Sequence, residues 1–227
     1  MDPKSSEKKP LAQQITQKLH QLYGEPQWRR PLSPLDELIS TILSQNTNDG
    51  NRDRAFEALR QRFPTWEAVR DAPLEAVVEA IRPAGLAEQK GPRIQAILRA
   101  ITAQRGRLDL DFLREFEPEA ALRWLQQFKG VGPKTAAIVV LFSLNKPAFP
   151  VDTHIHRVTR RLGLIPHSTS AEQAHRLLAE LFDKRDYASV HLNLIRLGRE
   201  ICRARKPKCP ICPLKEDCAF YRREDRS

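Results

Sequence analysis

Four cysteines lie close together near the end of the sequence and could bind a metal centre. They are Cys202, Cys209, Cys212 and Cys218, in the pattern Cys-x6-Cys-x2-Cys-x5-Cys. Four thiolates at this spacing can close around a [4Fe–4S] cluster or a structural zinc ion, and spacing alone does not decide between them. Zinc sites usually pair two short Cys-x2–4-Cys knuckles, whereas this sequence has one. Disulfides are not expected from clustered cysteines in an intracellular chain.

The loop between the first two cysteines is strongly basic. Its cations are Arg203, Arg205, Lys206 and Lys208, and residues 221–223 add further positive charge. A basic loop that is anchored by a metal centre is well suited to contacting phosphates.

A glycine-containing turn separates two helical patterns at 121–128 and 134–144. In this turn Gly130 and Gly132 permit positive φ and close approach of another molecule, while Pro133 suits the first position of a helix. The N–H groups at that helix start can bind a phosphate. The segment is therefore either a hairpin that grips a nucleic-acid backbone or an ordinary helical hairpin.

One amine and one carboxylate follow this turn. Lys134 falls in the first turn of the second helix, where the helix dipole and some burial favour the neutral, nucleophilic amine. Asp152 is placed to cap the next helix, and backbone N–H groups keep a capping carboxylate ionised. An ionised carboxylate can stabilise the oxocarbenium-like state of N-glycosidic bond cleavage. The simpler interpretations are a phosphate-contacting or solvated lysine and an ordinary helix cap.

Two histidines, His154 and His156, follow Asp152 in the same predicted helix. Because they are two positions apart, they do not share a helix face. We interpret them as structural or phosphate-contacting residues rather than metal ligands.

Composition indicates a folded, basic protein. Hydrophobic residues make up 41% of the 227 residues, so a core can form, and the net charge of +10 indicates a polyanionic partner such as nucleic acid. The N-terminal segment is polar and no apolar run is long enough to span a membrane. We therefore expect a monomeric intracellular protein, in the cytoplasm and associated with the nucleoid, with no membrane partner.

Helical periodicity dominates the sequence and no convincing strand alternation is present, so the predicted fold class is all-α. The predicted helices cover about 11–23, 35–46, 51–62, 74–82, 88–105, 118–128, 134–145, 153–163, 170–183 and 186–203. A proline-rich linker is expected at 25–34.

Three motifs together resemble the endonuclease III family of helix-hairpin-helix DNA glycosylases. The first is Gly-Val-Gly-Pro-Lys-Thr-Ala at 130–136, and the second is Val-Asp-Thr-His at 151–154, with Asp152 eighteen residues after Lys134. The third is the cysteine pattern, which matches the [4Fe–4S] signature of that family. The resemblance extends from about residue 10 to residue 220.

This resemblance implies two helical domains with a DNA-binding cleft between them. Residues 36–146 would form a six-helix barrel that contains the hairpin. Residues 1–35, with the N-terminal tail and helix, and residues 147–227 would form the cluster domain.

The resemblance also implies a bifunctional glycosylase and abasic-site lyase that acts on double-stranded DNA with damaged bases, expected to be oxidised pyrimidines, or abasic sites. Lys134 would attack C1′ of a flipped nucleotide and form a Schiff base, Asp152 would assist base loss, and β-elimination would cut the strand. Gln45 is expected to fill the gap left by the flipped base, and Leu86 to wedge into the duplex. Further DNA contacts are expected from Gly130, Val131, Gly132 and Thr135 of the hairpin.

The sequence departs from the family pattern at three positions. Lys129 stands where proline is common, Pro133 where a basic residue is common, and Ala87 where an aromatic residue is common. The change at Ala87 could alter lesion preference. Alternative functions are a mismatch or pyrimidine-dimer glycosylase of the same superfamily, or a non-catalytic DNA-binding or redox-sensing homologue.

Overall fold

The computed structural model describes residues 7–26 and 31–224, and within these ranges all regular secondary structure is helical, with no β-strand. The all-α prediction is therefore confirmed. No helix within the described ranges combines the length and apolar character needed to cross a membrane.

Twelve α-helices are present in the described part of the chain. They are α1 (Lys9–Tyr23), α2 (Pro34–Leu43), α3 (Asp49–Arg62), α4 (Trp66–Asp71), α5 (Leu74–Ile81), α6 (Ala87–Arg105), α7 (Pro118–Gln126), α8 (Pro133–Phe142), α9 (Thr153–Leu162), α10 (Ala171–Leu181), α11 (Tyr187–Glu200) and α12 (Ala219–Glu224). Short 3-10 turns occur at 82–84, 111–115, 184–186, 209–211 and 215–217.

Polar residues at the helix starts explain where many of these helices begin. The side chains of Ser33, Asn48 and Thr65 each accept a hydrogen bond from the backbone N–H three residues later. Ser170 and Gln173 form a reciprocal capping box at the start of α10. Each cap satisfies an N–H group that has no partner within the helix.

The chain divides into two compact units. One runs from Pro31 to Lys146 and contains α2 to α8. The other combines the described residues before position 31 with the described residues from Pro147 onward. The sequence prediction placed the corresponding boundaries after residues 35 and 146. Residues 27–30 of the predicted linker lie outside the described residues.

Each unit has its own apolar core. In the unit 31–146, α8 packs against α2 and α7, and its residues from Thr135 to Val140 are all buried. In the other unit, α11 packs against α9 and α1. Full burial of each large aliphatic side chain contributes about 1.5–3 kcal/mol, so these contacts fix the helices that carry the predicted site residues.

Candidate active site and cysteine cavity

The turn between α7 and α8 forms a tight hairpin. Gly130 has φ of +91°, and a Cβ at this position would collide with the side chain of Arg93. Gly132, in contrast, has extended backbone with open space around it, so packing within the unit does not require a glycine there. Gly132 is the N-cap of α8, and Pro133 and Lys134 are the first two residues of the helix.

Gln45 is bonded to this hairpin. Its side-chain Nε2 donates to the Gly130 carbonyl oxygen at 3.2 Å and lies 3.5 Å from Thr135 Oγ1. Its Oε1 accepts a hydrogen bond from Arg93 at 2.9 Å. The structure thus brings together three of the predicted DNA-contacting residues, and it adds Arg93 to them.

The side chains of the hairpin are unequally exposed. Val131 and Thr135 are buried, Lys134 is half-buried and Gly132 is exposed. The main chain at the start of α8 is therefore the part of the hairpin that is best placed to meet a ligand.

Leu86 lies in a second turn of the same unit. It is 45% exposed, one of few large hydrophobic side chains so exposed among the described residues. Its backbone is left-handed, with φ of +51°, and it follows Gly85, which has φ of +67°. A non-glycine residue in this conformation costs on the order of 1–3 kcal/mol, and such strain is concentrated at functional sites.

Asp152 is the N-cap of α9, as predicted. Its Oδ1 accepts a hydrogen bond from the Ile155 N–H at 2.8 Å, and the side chain remains partly exposed. The segment before it is buried and held by two histidines. His175 Nδ1 lies 3.0 Å from the Phe149 carbonyl oxygen, and His191 Nδ1 lies 2.9 Å from that of Pro150.

Burial lowers the pKa of His175 below its ordinary value, although the hydrogen bond to Phe149 acts in the opposite direction. A neutral His175 can donate its ring N–H to the Phe149 carbonyl oxygen and so fix the backbone segment that leads to Asp152.

His154 and His156 have structural contacts. His154 Nδ1 lies 3.1 Å from Arg157 Nη2, and His156 Nε2 lies 2.9 Å from the Thr169 carbonyl oxygen. These contacts fit the structural one of the two predicted roles, structural or phosphate-contacting.

All four cysteines line one cavity and none is in a disulfide. Apolar side chains from α9 and α11, among them Val158, Leu162 and Leu197, complete its wall. Within the described residues, no three His, Cys, Asp or Glu side chains are grouped to hold a single metal ion.

Two arginines of α9 hold the loop that follows Cys202. Arg157 donates to the Cys202 carbonyl oxygen at 3.1 Å. Arg161 donates to the carbonyl oxygens of Arg203 and Ala204 and lies 3.4 Å from Cys202 Sγ. The helix that begins after Asp152 therefore also anchors the first cysteine.

The cations of this loop, Arg203, Arg205, Lys206 and Lys208, are all exposed. Lys206 has φ of +49°, and Lys208 N–H donates to the Ile201 carbonyl oxygen at 3.0 Å. The loop thus has a defined backbone and presents its charges to solvent.

Comparison with known proteins identifies the family of this chain. Residues 39–184 match the model of a family described as "HhH-GPD superfamily base excision DNA repair protein". The chain belongs to the HhH-GPD superfamily of base excision DNA repair proteins. Residues 202–218 match a second family model, the iron–sulfur binding domain of endonuclease III.

Individual relatives of this HhH-GPD protein are similar over different lengths. Endonuclease III of Thermotoga maritima is 34% identical over 201 residues, which cover 88% of this chain and 90% of that protein. A putative DNA glycosylase of Arabidopsis thaliana is 41% identical over 143 residues, which cover 63% of this chain but only 49% of that protein. Among solved structures, a trapped covalent endonuclease III–DNA intermediate superposes with a TM-score of 0.80 and 28% identity, covering 95% of this chain and 99% of that one.

The cysteine cavity fits the iron–sulfur cluster that this HhH-GPD protein binds through residues 202–218. The pKa of the Cys212 thiol is raised to about 11, mainly by burial and also by repulsion from the other three cysteines, while a backbone hydrogen bond from Leu214 acts in the opposite direction. Four thiolates therefore need a positively charged group beside them, which iron supplies when bound. The cluster would be held by the four cysteine sulfurs alone.

Sequence reasoning missed two residues of α6 that support the site. Arg93 donates to Gln45 and its side chain lies against Gly130 of the hairpin. Lys90 is buried beneath the turns that carry Gln45 and Leu86. A signal for Lys90 was present, because it shares the spacing of Ile94, Ile97 and Ile101 on the apolar face of the helix.

Proposed function

We propose that this protein is a bifunctional DNA glycosylase and abasic-site lyase that removes damaged pyrimidines, with oxidised pyrimidines as the preferred class. The observation that carries the proposal is Lys134, a half-buried amine at the second position of α8, directly after the hairpin turn. Family membership and the covalent protein–DNA intermediate of the similar endonuclease III support it.

In the proposed reaction, the Lys134 amine attacks C1′ of the damaged nucleotide and the bond from C1′ to the base breaks. The nitrogen loses a proton, and the C1′–O4′ bond of the sugar ring then breaks, with O4′ taking up a proton. This gives a protonated imine at C1′, which acidifies the C2′ hydrogens. Removal of one of these protons expels the 3′ phosphate and cuts the strand. Asp152 stabilises the positive charge that develops on the sugar during the first step.

DNA is held through its backbone in this proposal. Gly132 supports this role, because its surroundings leave room for a side chain that the sequence does not use. A bare backbone there allows a phosphate to approach the N–H groups at the start of α8. The exposed cations at 203–208 supply further phosphate contacts.

Gln45 and Leu86 are proposed to act on the base pair itself. Leu86 would wedge into the duplex and Gln45 would fill the gap left by the extruded nucleotide. The exposure and strained backbone of Leu86 support its role. In its present position Gln45 is hydrogen-bonded to the hairpin, so the gap-filling role requires it to exchange these bonds for contacts with DNA.

We further propose that the cluster is of the [4Fe–4S] type with a structural role, that the unit 31–146 is the helix-hairpin-helix domain, and that the other unit is the cluster domain. The protein is proposed to act as a monomer with the DNA of the nucleoid. Iron and sulfide analysis should give about four of each per chain. One zinc per chain in protein from an iron-replete host would contradict the cluster assignment.

The catalytic proposal is tested by borohydride trapping on duplexes that contain an oxidised pyrimidine or an abasic site. Wild-type protein should form a covalent adduct with both. Lys134→Gln should abolish the adduct and retain DNA binding, because the backbone N–H groups of α8 remain. The matched control is Lys129→Gln, which removes an exposed lysine five positions earlier and should trap normally. Efficient trapping by Lys134→Gln would place the nucleophile elsewhere, and base excision by wild type without trapping would favour a monofunctional glycosylase.

A further inference from the structure

A buried ammonium group lies beneath two turns of the unit 31–146. Lys90, in the first turns of α6, is only 2% exposed. Its Nζ donates to the Leu43 carbonyl oxygen at 2.8 Å and to the Ala84 carbonyl oxygen at 2.9 Å. One side chain therefore ties the end of α2 to the turn that precedes Leu86.

Lys90 forms hydrogen bonds on both sides of the strained residues in the turn that contains Leu86. Its backbone N–H donates to the Leu86 carbonyl oxygen at 2.9 Å, and its Nζ binds the carbonyl oxygen of Ala84. Gly85 and Leu86, both with positive φ, lie between these two attachment points. Strained backbone persists only where surrounding contacts over-determine it, and Lys90 supplies two of these contacts.

The turn after α2, which carries Gln45, also contains a residue with positive φ. Leu43 is the last residue of α2, and three residues later Asn46 has φ of +54° and is exposed. Gln45 lies between them. The Lys90 ammonium thus connects the two turns that carry the side chains proposed to act on the base pair.

Burying this group carries a cost, which indicates that it has a purpose beyond filling space. Burial, together with the nearby positive charge of Arg93, lowers the pKa of Lys90 to about 8. A methionine of similar length would fill the same volume without that cost. What methionine lacks is the ability to hold two carbonyl oxygens at a fixed separation, one of them at the negative end of α2.

We propose that Lys90 is a positioning residue for base extrusion, which fixes the turn of Leu86 relative to the turn of Gln45 so that both side chains reach one base pair. This inference rests on the proposed glycosylase function. It assigns to Lys90 no contact with DNA and no part in the chemistry of Lys134.

The test compares two substrates in single-turnover experiments. One duplex contains an oxidised pyrimidine, which must be extruded, and the other contains a preformed abasic site, which has no base to extrude. Lys90→Met should slow base excision about 10- to 100-fold, as expected for misplaced positioning groups, and slow trapping at the abasic site less than about threefold. General loss of folded protein would slow both reactions equally.

The matched control is Lys146→Met. Lys146 also donates its ammonium to a backbone carbonyl oxygen of the same unit, that of Phe116, which belongs to neither turn. This variant should behave as wild type on both substrates. If Lys90→Met does not fold at the assay temperature, Lys90→Gln takes its place and the same ratio of the two rates decides.

A double variant identifies the route of the effect. If Lys90 acts through Leu86, then Leu86→Ala combined with Lys90→Met should excise the base nearly as fast as Leu86→Ala alone. Equal losses on the two substrates, or additive losses in the double variant, would overturn the inference. Wild-type protein that fails on both substrates would instead contradict the proposed function.

Discussion

Asp152 has two roles that substitutions can separate. Its Oδ1 caps α9 through the 2.8 Å hydrogen bond from Ile155 N–H, and its charge is proposed to stabilise the reacting sugar. Asparagine caps helices about as well as aspartate, so Asp152→Asn should change the free energy of unfolding by less than about 0.5 kcal/mol. Alanine cannot cap, and Asp152→Ala should cost about 1 kcal/mol, or about 2–4 °C in Tm for a protein of this size.

The rate of base excision should not follow the order of stability. Both substitutions remove the carboxylate, so both should slow single-turnover base excision about 100-fold or more, even though only one removes the cap. Ser170→Ala provides the matched control, because it removes the capping side chain of α10 without touching the proposed site. It should lower Tm as much as Asp152→Ala and leave the rate unchanged.

The measurements are thermal unfolding by circular dichroism and excision rates at saturating enzyme, with affinity for undamaged duplex as a check on binding. The reasoning fails if Asp152→Asn excises at the wild-type rate, because the charge would then be unnecessary. It also fails if Ser170→Ala loses as much activity as Asp152→Ala, since activity would then follow helix stability instead of the carboxylate.

Three further predictions concern the hairpin, the basic loop and pH. Gly132→Ala should fold as wild type but bind DNA more weakly, because open space surrounds Gly132. Gly130→Ala should lower Tm, because Gly130 has φ of +91°, which strains a residue with a side chain, and because the added Cβ would displace the Arg93 side chain. Equal Tm losses for the two variants would contradict the assignment of open space to Gly132. Replacing Arg205 and Lys206 with alanine should weaken binding to damaged and undamaged duplex alike. It should also reduce the slope of log K against log salt concentration by about one unit per lost phosphate contact. A loss of binding confined to one lesion would show that the loop recognises damage. Because the pKa of His175 is lowered in the folded protein, the unfolded chain binds a proton at this residue at a higher pH than the folded protein does. The free energy of unfolding should therefore fall as the pH drops below about 6.5, and urea titrations at two pH values should show a smaller fall for His175→Gln. An unchanged fall would assign the effect to other groups.

The helices were largely predictable because their signals are local. The helix predicted at 88–105 is observed as Ala87–Arg105, since its apolar spacing continues until Gly106, which has φ of +73°. Two helices at 66–71 and 219–224 were missed. Each has only six residues, too few for a periodic pattern to be distinguished from a loop.

The candidate site was predictable to the extent that it lies in short motifs. Lys134 and Asp152 each follow a recognisable turn or cap, and both occupy the helix starts that the sequence predicted. The hydrogen bond between Gln45 and Gly130 joins residues 85 positions apart, and nothing local predicts such a pairing. Lys90 shows the same limit, because its position on an apolar face is visible in the sequence but its two carbonyl partners are not.

The two proposed catalytic side chains both lie at the start of a helix, and the helix dipole acts on their charges in opposite ways. Both lie at the N-terminal end of an α-helix, where the backbone N–H groups present positive charge. This field attracts the carboxylate of Asp152, which accepts one of those N–H groups directly. It opposes a positive charge on Lys134, which lies in the first turn of α8. The start of a helix therefore holds the carboxylate by a direct hydrogen bond and places the amine beside like charge, and the proposed reaction uses the first group to stabilise the sugar and the second as its nucleophile.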